Sequence, residues 1–464
     1  MTRLFPVLTA AAVLLAGCSA DRLNVPNFNE ASSDQPVDRP LLQNLASGIF
    51  AEQRGGMGPL VSNVGVLGRE SYLYTSSEPR NTTLFLGTFP LDNSGFTNGQ
   101  WDPRFRNARN ALELVRTANT AAFLSDAEKS AVRGFANTMR ALDLFYVIAT
   151  RDSIGIPTVI DIATNQPQPF VSRDSAYRFI SGILDSAATQ LSAAGPTAFP
   201  FALPPGFAGF NTPATFRQFN RGLAARVHVY RGSLDCGNAC FTAALTALGE
   251  SFLNATAGAD LRRGVYHTYS TAAGDALNTL SIPVTPDQIA HPSIRTDAQL
   301  QANGTRDNRF VTKIRSIPTR NAPGGIAVGT ATDVGFTLYS EQTTPLPVIR
   351  NEELILLRAE ANVGLNNLAT ALTDINYIRT TAGLLAPIAA FDSRNAAIDA
   401  LLYEKRYSLL WEGHRWFDVR RWGRLLTLPL DIPTHFRARV MPVPQSECLA
   451  RSTLGAALKA PGCP

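Results

Sequence analysis

Residues 396–424 read AAIDALLYEKRYSLLWEGHRWFDVRRWGR, and this stretch decides the fold. In its first half Ile398, Leu401, Leu402, Leu409 and Leu410 recur at helical spacing, which predicts a helix with one face turned to a core. Its second half sets Trp411, Trp416, Phe417 and Trp422 among Arg415, Arg420 and Arg421 and the acids Glu404, Glu412 and Asp418. Three of the chain's four tryptophans fall here. Aromatic rings crossed by guanidinium groups and carboxylates make cation-π contacts and bidentate ion pairs, so the expectation is a tight corner.

Glu404 and Glu412 also pose a catalytic question. Eight residues apart, they stand about two helical turns from each other, and a glycosidase needs two carboxylates about 5 to 9 Å apart. The neighbouring arginines are expected to hold both ionised, whereas an acid catalyst keeps one protonated near neutrality. Glu412 also precedes Gly413, where the helix should end. These residues therefore read as structural ion pairs.

Outward from this corner the helical period recurs. Residues 351–364 present Leu354, Leu357 and Ala361, and 367–383 present Leu368, Ala371, Leu372, Ile375 and Ile378. Joined by the turn 364–366, they predict an antiparallel hairpin of the tetratricopeptide kind. Upstream, Phe105, Ala108, Leu112 and Val115 mark a helix over 103–117. Ser125 with Glu128 is a capping box opening a helix through Val132, Phe135, Met139, Leu142 and Phe145. Ser172 caps another, through Ala176, Ile183, Leu184 and Leu191, and a fourth spans 215–230. Leu41, Leu42, Leu45 and Phe50 begin a looser stripe. The fold class expected is all-α, with its helical scaffold mainly in 100–230 and 350–424.

Loops are expected between. Residues 55–100 break into Gly, Asn, Ser and Thr and read as loop and short strand, and 261–347 show little periodicity. Phe199, Phe201, Phe207 and Phe210 lie among prolines and glycines, so they either plug the core from a loop or cover a partner surface. The reading favours a contact surface.

With 42 Lys and Arg against 37 Asp and Glu, the formal charge is only +5, and charged residues make up 17% of the chain. So small a balance, with no basic stripe interleaved with aromatics, argues against nucleic acid. The N-terminus carries Arg3 and then a mostly apolar run to Ala16, too short for a stable spanning helix. Leu15-Ala16-Gly17-Cys18 resembles a bacterial lipoprotein signal, in which cleavage leaves Cys18 lipidated. The expected organisation is a signal peptide 1–17, a lipidated tether 18–40 with a polar, proline-punctuated sequence, and one domain 41–464. Export implies an oxidising compartment, so Cys236 with Cys240 and Cys448 with Cys463 read as two local disulfides. The second closes a tail over 448–463, worth about 3 kcal/mol by loop entropy. Zinc is the competing reading, but neither pair has a histidine or a second pair at ligand spacing. His228, His267, His291, His414 and His435 are widely spaced, and neither a metal nor a cofactor is expected.

The stretch 402–423 resembles the signature of the SusD/RagB family. Leu356-Leu357-Arg358-Ala359-Glu360-Ala361 with 376–384 resembles the segment that precedes that signature, and Met441-Pro-Val-Pro-Gln-Ser-Glu447 resembles its closing motif. Trp101, Phe105, Ala108, Arg109 and Asn110 resemble the family's first central helix, and 133–146 its successor. By this resemblance Glu404, Arg406, Glu412, Arg415, Trp416, Asp418 and Trp422 are structural signature residues. It implies tetratricopeptide-like helix pairs under a loop-rich ligand face, mainly 55–100 and 261–347. It also implies a non-catalytic lipoprotein of the outer membrane, facing the exterior, that captures oligosaccharide or, in some members, peptide. The implied partner is a SusC-like TonB-dependent barrel transporter, over which the protein acts as a lid. Ser19-Ala20-Asp21 lacks the acidic run of many surface-exposed relatives, and the two cysteine pairs look like additions.

A sugar site needs flat aromatic faces beside amides, carboxylates or arginine. The candidates are Tyr72 and Tyr74 near Arg69 and Glu70, Phe96 near Asp92, Asn93 and Asn98, and Tyr266 and Tyr269 around His267. Two other functions compete. A lipid-anchored glycoside hydrolase has no G-x-S-x-G, H-E-x-x-H or phosphate loop to support it, and an outer-membrane assembly scaffold would bind assembly factors rather than a transporter.

Overall fold

The computed structural model describes residues 37–87, 91–323 and 330–463. The leader, Cys18 and most of the tether lie outside the described residues. Of the described residues 53% are helix and 7% strand, which makes the fold all-α with strands serving only as clips. From Arg39 onward it forms one compact unit.

Helix α1 (Arg39–Gly55) is followed by α2 (Met57–Leu67), β1 (Ser71–Leu73) and α3 (Arg80–Gly87). A run of long helices comes next: α4 (Asp102–Thr120), α5 (Asp126–Arg151), α6 (Arg173–Ala193), α7 (Pro213–Arg231) and α8 (Asn238–Gly249). The irregular middle holds β2 (Gly264–His267), β3 (Gln288–Ala290), α9 (Ser293–Thr296), α10 (Asn308–Lys313), β4 (Ile314–Arg320), β5 (Thr332–Phe336) and β6 (Leu346–Arg350). Helices return with α11 (Asn351–Gly364), α12 (Leu368–Thr381), α13 (Arg394–Ser408), α14 (Arg415–Arg421) and α15 (Gln445–Arg451).

Local chemistry starts these helices where the sequence places the caps. The Ser125 hydroxyl accepts from the Glu128 amide while the Glu128 carboxylate accepts from the Ser125 amide, closing the capping box of α5. Thr212 with Thr215 closes a second capping box on α7, and the Ser172 and Ser393 hydroxyls accept from the Ser175 and Ala396 amides to cap α6 and α13. Consecutive helices from α4 to α8 pack on one another, and α11 packs against α7, α8, α12 and α13. Thirteen of the fourteen α11 residues are buried, all but Arg358, so it is the axle of the C-terminal half. Three two-stranded antiparallel ribbons, β1 with β3, β2 with β6 and β4 with β5, clip the irregular middle to the helices. Both cysteine pairs are disulfides, Cys236 to Cys240 and Cys448 to Cys463.

Two expectations fail for one reason, burial without a stripe. Residues 57–67 and 80–87 are the helices α2 and α3 rather than loop; α2 is enclosed but for the narrow strip of Pro59, Ser62 and Asn63, which hides its period. Its glycines serve close approach: a Cβ on Gly65 would meet the Ser71 hydroxyl at 2.8 Å with the Trp411 ring just beyond. The phenylalanine loop is core and not contact surface, with all four rings no more than 8% exposed. Phe201 packs edge-on to Phe135 of α5 at 5.0 Å, Phe207 stacks on Phe216 of α7 at 5.9 Å, and Phe210 meets Phe252 at 4.8 Å. Helices α5 and α7 leave these apolar faces open, and burying each ring contributes about 1.5–3 kcal/mol.

The corner forms as expected and its chemistry is explicit. Helix α13 ends at Ser408, and the chain turns through Trp411 (φ 56°) and Gly413 (φ 86°) before α14 restarts at Arg415. A left-handed tryptophan is strained. Phe336, stacked 4.0 Å from its ring, and the Tyr339 hydroxyl on its carbonyl hold it there. Beneath the turn lies a buried quartet. Lys405 Nζ binds Glu360 Oε2 at 2.6 Å and Asp418 Oδ1 at 2.9 Å, and Arg421 binds the same two carboxylates at 2.7 and 2.6 Å. The Trp422 indole donates to Glu360 at 2.7 Å.

Glu404 pairs with Arg309 at 2.6 Å and Arg379 at 3.0 Å, while Glu412 and Glu352 share Arg350. One detail differs from expectation: burial raises the Glu404 pKa above the usual carboxylate range, outweighing both arginines. At 0% exposure it still meets no substrate. Arg406 holds Asp297 and Ser293, and the Arg415 guanidinium, buried and beside Arg406, is pushed down to about 9.

Glu360→Ala leaves Lys405 and Arg421 sharing one carboxylate in the interior. The expected loss is about 3–5 kcal/mol, read from the urea unfolding midpoint, and a loss below about 1 kcal/mol would contradict the quartet's role.

Candidate ligand-binding cleft

Helix α1 turns a second stripe outward, opposite its leucines. Gln43, Ser47, Phe50, Ala51 and Arg54, spaced by three and four residues, line one wall of an open cleft of about 320 Å³. The facing wall is Ala202, Leu203, Pro204 and Phe207 from the phenylalanine loop, and Tyr266, His267 and Thr268 at the end of β2 complete it. Gln43 pins the loop with two bonds, accepting from the Ala202 amide at 2.7 Å and donating to its carbonyl at 3.2 Å. Phe50 packs between Phe135 and Phe207, 5.2 and 5.0 Å away. The apolar wall is thus an extension of the core.

The polar groups are equally fixed. Arg54 donates to the Thr268 carbonyl at 2.8 Å, pairs with Asp275 at 2.5 Å and lies over the Tyr269 ring at 5.7 Å. Its Nε has no partner among the described residues. His267 is buried with Nε2 unpartnered, and burial, aided by the Arg104 and Arg54 charges, pushes its pKa down to about 3. It is therefore neutral near pH 7. The Tyr266 hydroxyl donates to the Arg262 carbonyl, and burial raises its pKa to about 12. The cleft sets ring faces beside a held guanidinium and unspent polar atoms, which suits a ligand with apolar faces and many hydroxyl or amide groups.

The five aromatic candidates separate. Tyr266 lines the cleft and Tyr269 lies beneath Arg54 at its edge. Tyr72 and Tyr74 are core, 0% and 3% exposed, and cannot stack on a ligand. They stack on each other at 4.8 Å, and their hydroxyls donate to Asp431 and to the Thr330 carbonyl. Asp431 also meets His291 at 3.0 Å; burial raises its pKa, but the bonds from His291, His435 and Tyr72 prevail and hold it well below the carboxylate range. Phe96 stands apart from the cleft, half-buried under Arg80 at 5.3 Å. Among the described residues no group of three or more His, Cys, Asp or Glu is placed to hold a metal ion, and no helix is long and apolar enough to cross a membrane.

Residues 311–445, which run from α10 into α15 and contain the whole corner, match the sequence model of the SusD family. A SusD-like protein from Bacteroides fragilis superposes with a TM-score of 0.68 at 15% identity, covering 92% of this chain and 98% of that one. Residues 311–445 carry the SusD-family pattern, and the fold of the chain is that of SusD-like structures. Two further solved SusD-fold structures are similar. Surface glycan-binding protein A from Bacteroides uniformis has a TM-score of 0.67 at 15% identity over 91% of this chain and 100% of its own. Surface glycan-binding protein A from Bacteroides thetaiotaomicron, solved with laminarihexaose, has a TM-score of 0.66 at 11% identity over 89% and 97%. At such identities these likenesses establish the fold alone. No curated protein matches the sequence.

The cleft histidine makes a pH prediction. Unfolded, His267 takes up a proton near pH 6.5; folded, it does so only near 3, so stability falls with pH across that window. Its contribution is about 1.4 kcal/mol per pH unit, so His267→Asn should lose about that much less than the unaltered protein between pH 7.5 and 5.5 in urea titrations. Equal losses in the two proteins would contradict a neutral buried His267.

Proposed function

We propose that this SusD-family protein captures an oligosaccharide in the cleft between α1, the phenylalanine loop and the end of β2, and does so without chemistry. The observation that carries the reading is the juxtaposition of the Phe50 and Tyr266 rings with the Arg54 guanidinium, held in place by Thr268 and Asp275. A pyranose offers an apolar face to a ring and hydroxyls to fixed donors and acceptors, and both are supplied here. Two similar structures are named surface glycan-binding proteins, one of them holding laminarihexaose, which supports a glycan as the cargo. The carboxylates that raised a hydrolase, Glu404 and Glu412, are buried under arginines. We further propose that Cys18 is lipidated, that the protein sits on the outer membrane facing the exterior, and that it delivers its cargo to a TonB-dependent barrel as that transporter's lid.

Titration of the lipid-free protein with laminarihexaose, other neutral hexasaccharides and a peptide panel tests the cargo. Saturable glycan binding is expected, weakened about tenfold by Tyr266→Ala and by Arg54→Ala. Saturable peptide binding with no glycan binding would overturn the cargo, and unchanged affinity in both variants would overturn the cleft. Purification of the tagged protein from its own membranes should bring down a large TonB-dependent barrel, and assembly factors in its place would favour a scaffold.

A further inference from the structure

A second cleft, of about 370 Å³, opens between the start of α4, the loop 157–168 and the C-terminal helix α15. Its aromatic surface is Phe105. Trp101 beneath it is occupied, with Phe105 at 4.8 Å, Phe170 stacked at 5.8 Å and the Arg151 guanidinium 5.1 Å from its ring. Pro157 and Pro167 extend the flat apolar surface.

The charges around this surface balance, three acids (Asp102, Asp161 and Glu447) against three arginines (Arg106, Arg109 and Arg451). Most are already engaged within the protein. Arg106 pairs with Glu52, Arg109 binds Asn165, Asp161 accepts from the Ala163 and Thr164 amides, and Arg451 binds Glu447 and the carbonyls of Gln168 and Leu458. Asp102, exposed at the rim, makes no hydrogen bond or close ion pair among the described residues and feels only the more distant charges of Glu447, Arg151 and Arg106. Beside it the rim carries the amides of Gln166 and Gln168. A charged ligand finds no net field here, whereas an uncharged polyhydroxylated one finds a ring, two prolines, a free carboxylate and amides.

The tail gives this cleft its third wall. Glu447, Ala450 and Arg451 stand on a helix whose Cys448 is bonded to Cys463, and Val443, Cys448 and Ala460 form a small core of their own against Ile154 and Phe170. Besides the disulfide, that wall is held by the Arg451 clamp, by the Gln445 amide donating to the Asn93 carbonyl at 3.0 Å, and by this small core.

We propose that this cleft is a second carbohydrate site, for a neutral oligosaccharide, whose outer wall is kept in register by the Cys448–Cys463 disulfide. It rests on the reading of a glycan as cargo. The juxtaposition that carries it is Phe105 and the free Asp102 carboxylate facing a disulfide-tied wall across a cavity of sugar size.

The test is calorimetric titration of the whole protein in detergent with laminarihexaose, cellohexaose, maltohexaose and xylohexaose. Two binding events are expected in the unaltered protein. Phe105→Ala and, as a milder variant that breaks no hydrogen bond, Asp102→Ala should weaken one event about tenfold and spare the other, which Tyr266→Ala weakens about tenfold. The double variant Cys448→Ser, Cys463→Ser should weaken only the Phe105 event. A single event weakened in Tyr266→Ala and untouched by Asp102→Ala overturns the second site and leaves the first cleft standing. Binding of none of the four sugars overturns both, and a Phe105 event unaltered by loss of the disulfide overturns the tail's part in it.

Discussion

Two cations and two carboxylates with almost no water around them set the architecture. Lys405 and Arg421 each bind both Glu360 and Asp418, and all four side chains are at most 3% exposed. Burying any one of these charges alone costs several kcal/mol, so the group is tolerated only complete. Completeness is geometric: Glu360 comes from α11, Lys405 from α13, Asp418 and Arg421 from α14, and Arg421 reaches on to Ser233 beyond α7. The Arg421 guanidinium also lies 3.8 Å from the centre of the Tyr230 ring. One hydrogen-bonded group therefore fixes how the C-terminal helices meet the N-terminal ones. A hydrophobic substitute would pack, but it would not specify which helix ends come together.

That constraint separates support from recognition. The densest concentration of charge and aromatic rings in the chain is spent on its own corner, with Trp411 and Trp416 no more than 1% exposed. Ligand-sized openings arise instead where helices run out and loops cross them. The first cleft uses the outward stripe of α1, and its far wall is a loop anchored in the aromatic cluster of α5 and α7. A ligand there meets side chains whose positions are set by packing before it arrives. Preorganisation of this kind lowers the ordering cost of binding.

The sequence was legible where one side of an element met solvent or where a cap marked its start. Ser125 with Glu128, Ser172, and the span 351–364 are all found where the residues put them. It was not legible where burial is complete. Helix α2 shows solvent only the narrow strip of Pro59, Ser62 and Asn63, and Tyr72 and Tyr74 look like loop aromatics until β3 pairs with β1 and Asp431 arrives from more than 350 residues away. Phe199 to Phe210 were ambiguous for a related reason, since proline-rich spacing does not say which helices leave a hole to fill. The first cleft had one visible trace, the Gln43, Ser47, Phe50, Arg54 spacing on α1. Its other walls come from 202–207 and 266–268, and only the tertiary fold joins them.

The separation of a closed, charged scaffold from open, preformed clefts is tested most directly by a crystal structure of the lipid-free protein soaked to saturation with an intact neutral oligosaccharide. Uncleaved sugar lying over Phe50 and Tyr266 beside Arg54, with the Glu360–Lys405–Asp418–Arg421 group unmoved, is the expected result. Sugar drawn into contact with Glu404 or Glu412, or electron density for a cleaved product, would contradict it.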